Sequence, residues 1–426
     1  MRKGLILLWL SFLGASSLQA SGFNLYEFGG RGSAMGGAMV ARAWDGSTIF
    51  YNPAGLAFLQ GTQFYGGTTL IFPNTRFVGA FPIYDSQVHK TKYAYFTPIG
   101  AYFSHKFTEK LGAGIGVTNP FGLGVEWHDS FSGRTVSRNS QLQSFYISPV
   151  VAYQITPNLS IGGGPDFVLT KVTLEKSVTM FDVPEAWKGY EIGEVALTGT
   201  SKLALGFTAS AMYRTEKLGL GFLYRHSIHN EFNDGDADFT LYDELSVPNL
   251  AALIPQNTLR DQKANTAIDF PNFLSTGVYY KFTKKFGVEA DYMWFNWSVF
   301  KEIKLDFVED MLDQTITENY GDSWQFRLGA HYEVTDALSL RAGYVYDKTP
   351  QPVDSVSPLL PDNTRNDFTF GFGYNFGALQ LDLGYMLVDF GERSTVENGV
   401  GKNRDGFNGA YNSRADLIYG SVGINF

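Results

Sequence analysis

The most constraining feature of this sequence is a two-residue alternation of apolar and polar residues that recurs to the end of the chain. Over residues 338–346 and 368–376, every second residue is apolar or aromatic, and nearly all residues between them are polar or glycine. Successive side chains of a β-strand point to opposite faces, so each segment has one apolar and one polar face. The pattern therefore predicts strands that lie between an apolar and a polar environment.

The connections between these segments come in two lengths, which alternate along the chain. About six are tight turns, most with a Thr-x-x-[Leu/Phe]-[Gly/Ser] pattern such as Thr108 to Gly112, and about seven are long loops. Short turns at one end and long loops at the other are typical of outer-membrane barrels, which have an even number of antiparallel strands. The sequence therefore predicts an all-β fold, a transmembrane antiparallel β-barrel of about 14 strands over residues 61–426.

Composition and motifs exclude several other classes of protein. The chain has no cysteine, which excludes disulfides and thiolate metal sites, and its net charge of −9 offers no basic surface to nucleic acid. A soluble β-sandwich is the alternative fold, but its strands are usually about 3–10 residues long, and several segments here run longer. The histidines are scattered and no Gly-x-Ser-x-Gly elbow occurs. We therefore predict no enzymatic activity, no catalytic residue, no cofactor and no metal site.

Residues 1–20 have the features of a secretory signal peptide. Arg2 and Lys3 form a positive start, residues 5–13 are apolar, and the segment ends at Ala20 in a plausible cleavage site. The apolar run is too short for a transmembrane helix, which needs about 20 residues. We therefore expect export to the cell envelope.

Residues 21–60 break the alternation. They contain a glycine-rich stretch from Gly29 to Gly37 and too many aromatic residues, such as Phe23 and Trp44, for a disordered tail. No Gly-Lys-[Ser/Thr] follows the glycines, which argues against a phosphate-binding loop. Since glycine permits tight turns in a confined space, we predict a compact N-terminal plug, or hatch, inside the barrel lumen.

This segment also resembles that of a known family. The stretch Gly22 to Glu27 and the motif Asn52, Pro53 and Ala54 are similar to the hatch of FadL-type long-chain fatty acid transporters, whose relatives include aromatic-hydrocarbon channels. The resemblance implies a barrel of about 14 strands in the outer membrane of a Gram-negative bacterium. It further implies a monomer that takes up hydrophobic molecules without an energy source and releases them sideways through the barrel wall.

Four prolines fall inside the predicted strands 2 to 5, and none falls inside strands 9 to 14. They are Pro98, Pro120, Pro149 and Pro165. An interior proline removes a ladder hydrogen bond, so one wall of the barrel is expected to be interrupted. The stretch Asn119, Pro120, Phe121 and Gly122 matches the position of the strand-3 kink that opens the wall in the FadL family, so the resemblance implies exit of the ligand there. A bulge that only shapes the barrel is the alternative interpretation.

The ligand-binding residues are less sharply predicted. Phe23 lies in the hatch, and Lys171 aligns with a strand-5 cation that lines the ligand pocket of the family. A carboxylate would favour such a cation, but lysine is equally common in a barrel lumen. Leu250, Leu253 and Ile254 form an apolar stretch in a long loop, either a capture surface for hydrophobic ligands or a short helix packed on its neighbour. The sequence does not distinguish fatty acids from aromatic hydrocarbons as ligands.

Two other functions stay open at this stage. A general hydrophilic porin would also carry charged lumen residues, although a plug and an interrupted wall count against it. A surface adhesin role, known among relatives of the family, is compatible with transport. Phe426 closes an alternating strand and resembles the signal that outer-membrane barrels present to the barrel assembly machinery. The expected partners are therefore that machinery, outer-membrane lipid and a hydrophobic small molecule.

Overall fold

The computed structural model of this protein describes residues 22–80, 87–180, 189–242 and 258–426. Its 14 antiparallel strands form one closed barrel, because the first strand pairs with the last along nearly its whole length. Closure removes the sheet edges that a bilayer would not tolerate, since lipid offers no hydrogen-bond partner to a free backbone group. The prediction of an all-β, 14-stranded transmembrane barrel is therefore confirmed.

Seven of the strands are continuous, and seven are divided in two by a short break. In chain order the strands are β1 (Thr62–Gly79), β2 (Val88–Lys90 and Ile99–Lys106), β3 (Leu111–Thr118 and Gly122–Glu126), β4 (Asn139–Thr156), β5 (Leu159–Thr179), β6 (Glu191–Thr200 and Ala204–Arg214), β7 (Leu218–Arg225 and Ile228–Leu241), β8 (Gln262–Phe270 and Phe273–Lys281), β9 (Phe286–Phe295 and Glu302–Phe307), β10 (Gln314–Thr317 and Ser323–Glu333), β11 (Leu338–Asp347), β12 (Arg365–Asn375), β13 (Leu379–Ser394) and β14 (Gly409–Asn425). The loops add a small hairpin of Val396–Glu397 and Val400–Gly401 and single 3-10 turns at Asp310–Leu312 and Val353–Ser355, and a further 3-10 turn at Trp297–Val299 lies in the break of β9.

The recurrent threonine of the tight turns has a structural reason. In five of these turns the threonine hydroxyl accepts the backbone N–H of the residue three positions later, at 2.9–3.1 Å. The pairs are Thr108–Leu111, Thr156–Leu159, Thr215–Leu218, Thr283–Phe286 and Thr335–Leu338. A side chain that satisfies a free N–H stabilises a turn too short to satisfy it by backbone bonds alone.

The outer face of the barrel is apolar. Along β12, Phe368, Phe370 and Phe372 are 53%, 60% and 42% exposed, whereas Asp367 and Thr369 between them are buried. The hydrocarbon core of a bilayer requires such an outward apolar band, flanked by aromatic residues at the interfaces. Exposed aromatic residues at or next to the tight turns include Phe107, Phe282 and Phe376.

Residues 22–60 fold inside the barrel and form the hatch. They contain two short helices, α1 (Gly30–Ala34) and α2 (Thr48–Tyr51), followed by a 3-10 helix over Pro53–Phe58. Nearly all hatch residues are buried because the wall surrounds them. Across the described ranges of the chain, no helix is both long and apolar enough to cross a membrane.

Glycines on the inner face of the wall let the hatch backbone approach closely. A Cβ atom on Gly162 of β5 would lie 2.7 Å from the Ala54 nitrogen, and one on Gly329 of β10 would lie 2.6 Å from the Met35 carbonyl oxygen. A side chain at either position would therefore displace the hatch. The high glycine content of the chain reflects, in part, a wall that packs against a filled lumen.

Two buried carboxylates of β9 hold the middle of the hatch. Asp291 Oδ2 accepts the N–H groups of Met39 at 2.9 Å and Val40 at 3.1 Å, and Glu289 Oε1 accepts the N–H of Ala41 at 2.6 Å. These hydrogen bonds give partners to carboxyl oxygens that are buried in the wall. The hatch is therefore tied to the wall by its backbone as well as by packing.

The four prolines occupy two kinds of position. Pro149 and Pro165 lie inside β4 and β5, as predicted, whereas Pro98 and Pro120 lie in the breaks of β2 and β3. Pro98 and Pro120 therefore lie within β2 and β3 at the points where the pairing of these strands is interrupted. Without an N–H, a proline cannot contribute a donor to the ladder, and here the ladder ends at these two residues.

Interruptions also occur in other parts of the wall. Strands β6 to β10 are divided as well. At the break in β8, Phe270 lies opposite Ile228 and Phe273 lies opposite Arg225, so the register of the ladder is the same on both sides. Such breaks bend the wall without separating the strands. The breaks in β2 and β3 are different, because these two strands are not paired with each other between Thr91 and Gly100.

Candidate ligand cavity and lateral window

A cavity of about 440 Å³ lies between the hatch and the wall, close to the long loop of residues 348–364. Leu142 and its neighbour Gln143 on β4 both line it, and so do Lys171 and its neighbour Val172 on β5. Neighbouring residues of a strand point to opposite faces of the sheet. The cavity therefore reaches both the inner and the outer face of the wall.

The cavity passes through the wall where β2 and β3 are not paired. Gly100 lies opposite Thr118, and further along the strands Thr91 lies opposite Trp127, in the same register. In this register residues 93–98 face residues 120–125, yet within the described range 87–180 no backbone hydrogen bond joins these two stretches. We call this gap the window.

The bend in β3 is built from side chains that replace ladder bonds. Asn119 Oδ1 accepts the N–H of Ile99 at 2.9 Å, and Asn119 Nδ2 donates to the carbonyl of Ser144 at 2.6 Å. The Ser144 hydroxyl accepts the N–H of Phe121 at 3.0 Å, while Pro120 has no N–H to satisfy. The N–H groups of Ile99 and Phe121 therefore have hydrogen-bond partners although β3 does not pair with β2 at this point.

The N-terminal end of the hatch fills the half of the window nearer the tight turns. Residues 23–25 pair with residues 120–122, with Asn24 opposite Phe121 and backbone hydrogen bonds of 2.8 and 3.0 Å on either side. The Asn24 amide also donates to the carbonyl of Pro120 at 3.1 Å. The hatch thus occupies the edge of β3 that β2 leaves free.

Phe23 lies at the centre of an aromatic cluster beside this edge. Its ring contacts Trp297 at 4.8 Å and Phe300 at 5.6 Å between ring centroids, both in edge-to-face geometry. Phe121 and Phe270 stack at 4.4 Å on its other side. Aromatic rings in such arrangements gain about 0.5–1.5 kcal/mol per pair beyond burial of their area. The cluster therefore holds the hatch end in the window, and its rings would suit an apolar ligand if Phe23 withdrew.

The cations that line the cavity differ in their partners. Arg365 Nε lies 2.8 Å from Asp347 Oδ2, and Arg414 Nη2 lies 2.9 Å from Asp416 Oδ1. The ammonium of Lys171, by contrast, has no ion pair or hydrogen bond within the described part of the chain, although its backbone is paired in the sheet. It is exposed on the outer face of β5 rather than in the lumen, since Thr170 and Val172 beside it face inward. The lumen alternative for Lys171 is therefore wrong.

Asp362 ties the start of the hatch to the loop of residues 348–364. Its Oδ2 accepts the N–H of Gly22 at 3.2 Å and the hydroxyl proton of Thr349. Burial raises the pKa of Asp362 to about 6, although Thr349 and Arg393 act in the opposite direction. At pH 7 and above the carboxylate is therefore mostly ionised and accepts both hydrogen bonds.

The motif of Asn52, Pro53 and Ala54 is a fixed turn rather than part of the cavity. Asn52 Oδ1 accepts the N–H of Ala54 at 3.2 Å and its Nδ2 donates to the carbonyls of Val40 at 2.6 Å and Ala211 at 3.1 Å. Pro53 begins the following 3-10 helix, where its missing N–H costs nothing. The motif therefore joins two parts of the hatch to the wall.

The cavity brings together five of the twelve residues singled out from the sequence. Those that line it are Phe23, Asn119, Phe121, Gly122 and Lys171. Leu250, Leu253 and Ile254 lie outside the described residues, as do residues 1–20. Sequence reasoning missed Leu25, Phe96 and Asp362, which also line the cavity. The two glycines of Gly122-x-Gly124 were the available signal, because glycine inside a strand often marks a close approach of other atoms.

Solved structures and curated sequences share this architecture. The long-chain fatty acid transport protein of Escherichia coli O6:H1 is 23% identical over 410 residues, which cover 90% of this chain and 90% of that protein. The crystal structure of a Pseudomonas aeruginosa FadL homologue matches with a TM-score of 0.82 and 20% identity, covering 95% of this chain and 100% of that one. The toluene transporter TodX of P. putida matches with a TM-score of 0.72 and 17% identity, covering 95% and 99%.

The family itself is shown by a match over almost the whole chain. The model described as "Outer membrane protein transport protein (OMPP1/FadL/TodX)" matches residues 11–426. Relatives are named outer membrane proteins of Gram-negative bacteria, and the fold is a transmembrane barrel, so this protein lies in the outer membrane. The resemblance read from the hatch residues is thereby confirmed. This chain belongs to the OMPP1/FadL/TodX family of outer-membrane transport proteins.

Proposed function

We propose that this protein takes up hydrophobic molecules passively and releases them sideways into the bilayer through the window. The observation that carries the proposal is the cavity lined by Phe23 and Phe121 inside the barrel and by Gln143 and Lys171 outside it. A ligand in this cavity has a path to lipid that does not cross the periplasm. The buried hatch in the lumen counts against a general hydrophilic porin.

Sideways release has an energetic advantage for such ligands. Each methylene group returned to water costs about 0.8 kcal/mol, so release of a long chain into the periplasm would cost several kcal/mol. Transfer from an apolar cavity to the hydrocarbon core of the bilayer avoids that cost. The concentration gradient of the ligand across the outer membrane is then sufficient to drive uptake.

Two ligand classes are proposed for the cavity, with long-chain fatty acids as the first. The relative from E. coli is named a long-chain fatty acid transport protein, and the structural neighbour from P. putida is a toluene transporter. The ammonium of Lys171, which has no partner among the described residues, favours a ligand with a carboxylate. The aromatic cluster alone does not require one. Aromatic hydrocarbons are the second class, supported by the rings around Phe23.

Uptake by whole cells tests the proposed function. In a Gram-negative host that lacks its own FadL-type channel, expression of this protein is expected to restore uptake of labelled oleate at micromolar concentration. The matched control is the same host with an empty vector, and folding is checked by a gel shift of the detergent-extracted barrel on boiling. Unchanged oleate and toluene uptake with a correctly folded barrel would overturn the proposal.

The substitution Lys171→Gln separates the two ligand classes. We expect uptake of oleate at low concentration to fall about two- to fivefold, the size expected for one exposed charge pair, while uptake of toluene stays unchanged. The matched control is Lys202→Gln, which removes an exposed lysine on β6 that does not line the cavity. An equal loss for both ligands, or a loss in the control, would contradict a head-group role for Lys171.

We also propose that Phe426 serves as the signal to the barrel assembly machinery and that the barrel works as a monomer. Phe426 is 78% exposed at the end of β14, and its N–H donates to the carbonyl of Thr62 at 2.9 Å. The side chain is therefore accessible while the backbone closes the barrel. The exposed apolar outer face supports lipid as its surroundings.

A further inference from the structure

The half of the window farther from the tight turns is closed by a side chain and not by backbone pairing. A Cβ atom on Gly124 of β3 would overlap the ring of Phe96, so the ring occupies the space that a side chain at position 124 would take. Both residues line the cavity. The ring of Phe96 thus lies across the gap between β2 and β3.

The backbone of Phe96 is fixed, whereas its ring is held less tightly. Phe96 donates its N–H to the carbonyl of Ile71 at 3.0 Å and accepts the N–H of Ile71 at 2.9 Å, which ties it to β1. Its ring is half-buried and, among the described residues, forms no aromatic pair, unlike the rings of Phe23 and Phe121. A change of side-chain rotamer would therefore move the ring without breaking these backbone hydrogen bonds.

Aromatic residues also surround the outer mouth of the gap. Tyr93 and Tyr95, on the same unpaired stretch as Phe96, are 84% and 62% exposed. The ring of Tyr93 stacks on Phe72 of β1 at 6.2 Å. Aromatic side chains with one polar end are typical of the membrane interface. A ligand that passes the ring of Phe96 would therefore meet an aromatic surface before it reaches lipid.

We infer that Phe96 is the gate residue of the window, and that the size of its side chain limits the rate at which a hydrophobic ligand leaves the cavity. This inference rests on the proposed sideways exit and adds the residue that controls it. The hatch end closes one half of the window and the Phe96 ring closes the other. A long-chain ligand leaves through the whole window, so its exit requires both the withdrawal of the hatch end and the movement of the ring.

Substitutions of different size at position 96 test the inference. With oleate in the whole-cell assay, Phe96→Ala is expected to raise the initial uptake rate about threefold and Phe96→Trp to lower it by a similar factor. The matched control is Phe103→Ala, which removes an exposed phenylalanine from the paired part of β2. Its uptake rate is expected to equal that of the wild type.

The outcomes distinguish the gate from the proposed function. If the wild-type protein takes up ligand and both Phe96 variants match it, the inference is overturned while transport stands. If the wild-type protein takes up nothing, the proposed function itself fails. Conductance in planar bilayers gives a second measurement, since a gate toward lipid leaves the ion conductance of Phe96→Ala unchanged. A large rise in ion conductance would show that the ring seals an aqueous path instead, which would also overturn the inference.

Discussion

A disulfide between positions 24 and 121 is expected to stop delivery of the ligand while the barrel stays folded. Asn24 and Phe121 face each other as a non-hydrogen-bonded pair, because the backbone bonds lie on either side of them. The Cα atoms of such pairs are about 4.5 Å apart, within the range of a disulfide. The variant Asn24→Cys/Phe121→Cys would therefore lock the hatch end onto the free edge of β3.

The measurement is uptake of oleate before and after reduction of the same variant. The natural chain has no cysteine, so the engineered bond is the sole disulfide. We expect the oxidised protein to bind oleate and to lose nearly all uptake, and the reduced protein to recover it. The two single-cysteine variants control for the loss of Asn24 and Phe121 themselves. Full uptake by the oxidised protein would mean that the ligand does not leave through the window.

Removal of the hatch is expected to turn the barrel into an open pore. Deletion of residues 21–60 would empty the lumen and expose to water the wall carboxylates that hold the hatch, such as Glu289 and Asp291. A wide barrel with a polar, water-filled interior conducts ions, as porins do. We expect ion conductance in planar bilayers to rise by about tenfold or more.

The control for this deletion shortens the chain elsewhere. Removal of the small hairpin of residues 396–401 alters an extracellular loop and leaves the hatch in place. That variant is expected to conduct like the wild type. Both variants are first checked for the gel shift that a folded barrel shows on boiling. If the hatch deletion passes this check and its conductance is unchanged, the hatch is not the plug of the barrel.

Much of the fold was predictable because its causes are local. The alternation around Phe368 and Phe376 sets which face of β12 meets lipid, and this follows from the two-residue period of a strand. The threonine pattern of the tight turns reflects a hydrogen bond between residues three positions apart, such as Thr108 and Leu111. The kink residues Asn119 and Pro120 were recognisable because proline and asparagine disturb a strand wherever they occur.

The sequence by itself thus determined the barrel, the alternation of tight turns with long loops, and the place where β3 bends. Only the tertiary structure decided what closes that place, because the contacts join residues far apart in the chain. Asn24 meets Phe121 because the hatch folds back through the lumen, and Phe96 covers Gly124 because β2 and β3 are not paired with each other there. The position of Lys171 on the outer face likewise depends on the strand register around the bend. No local pattern encodes such register, since it is set by the summed pairing of all 14 strands.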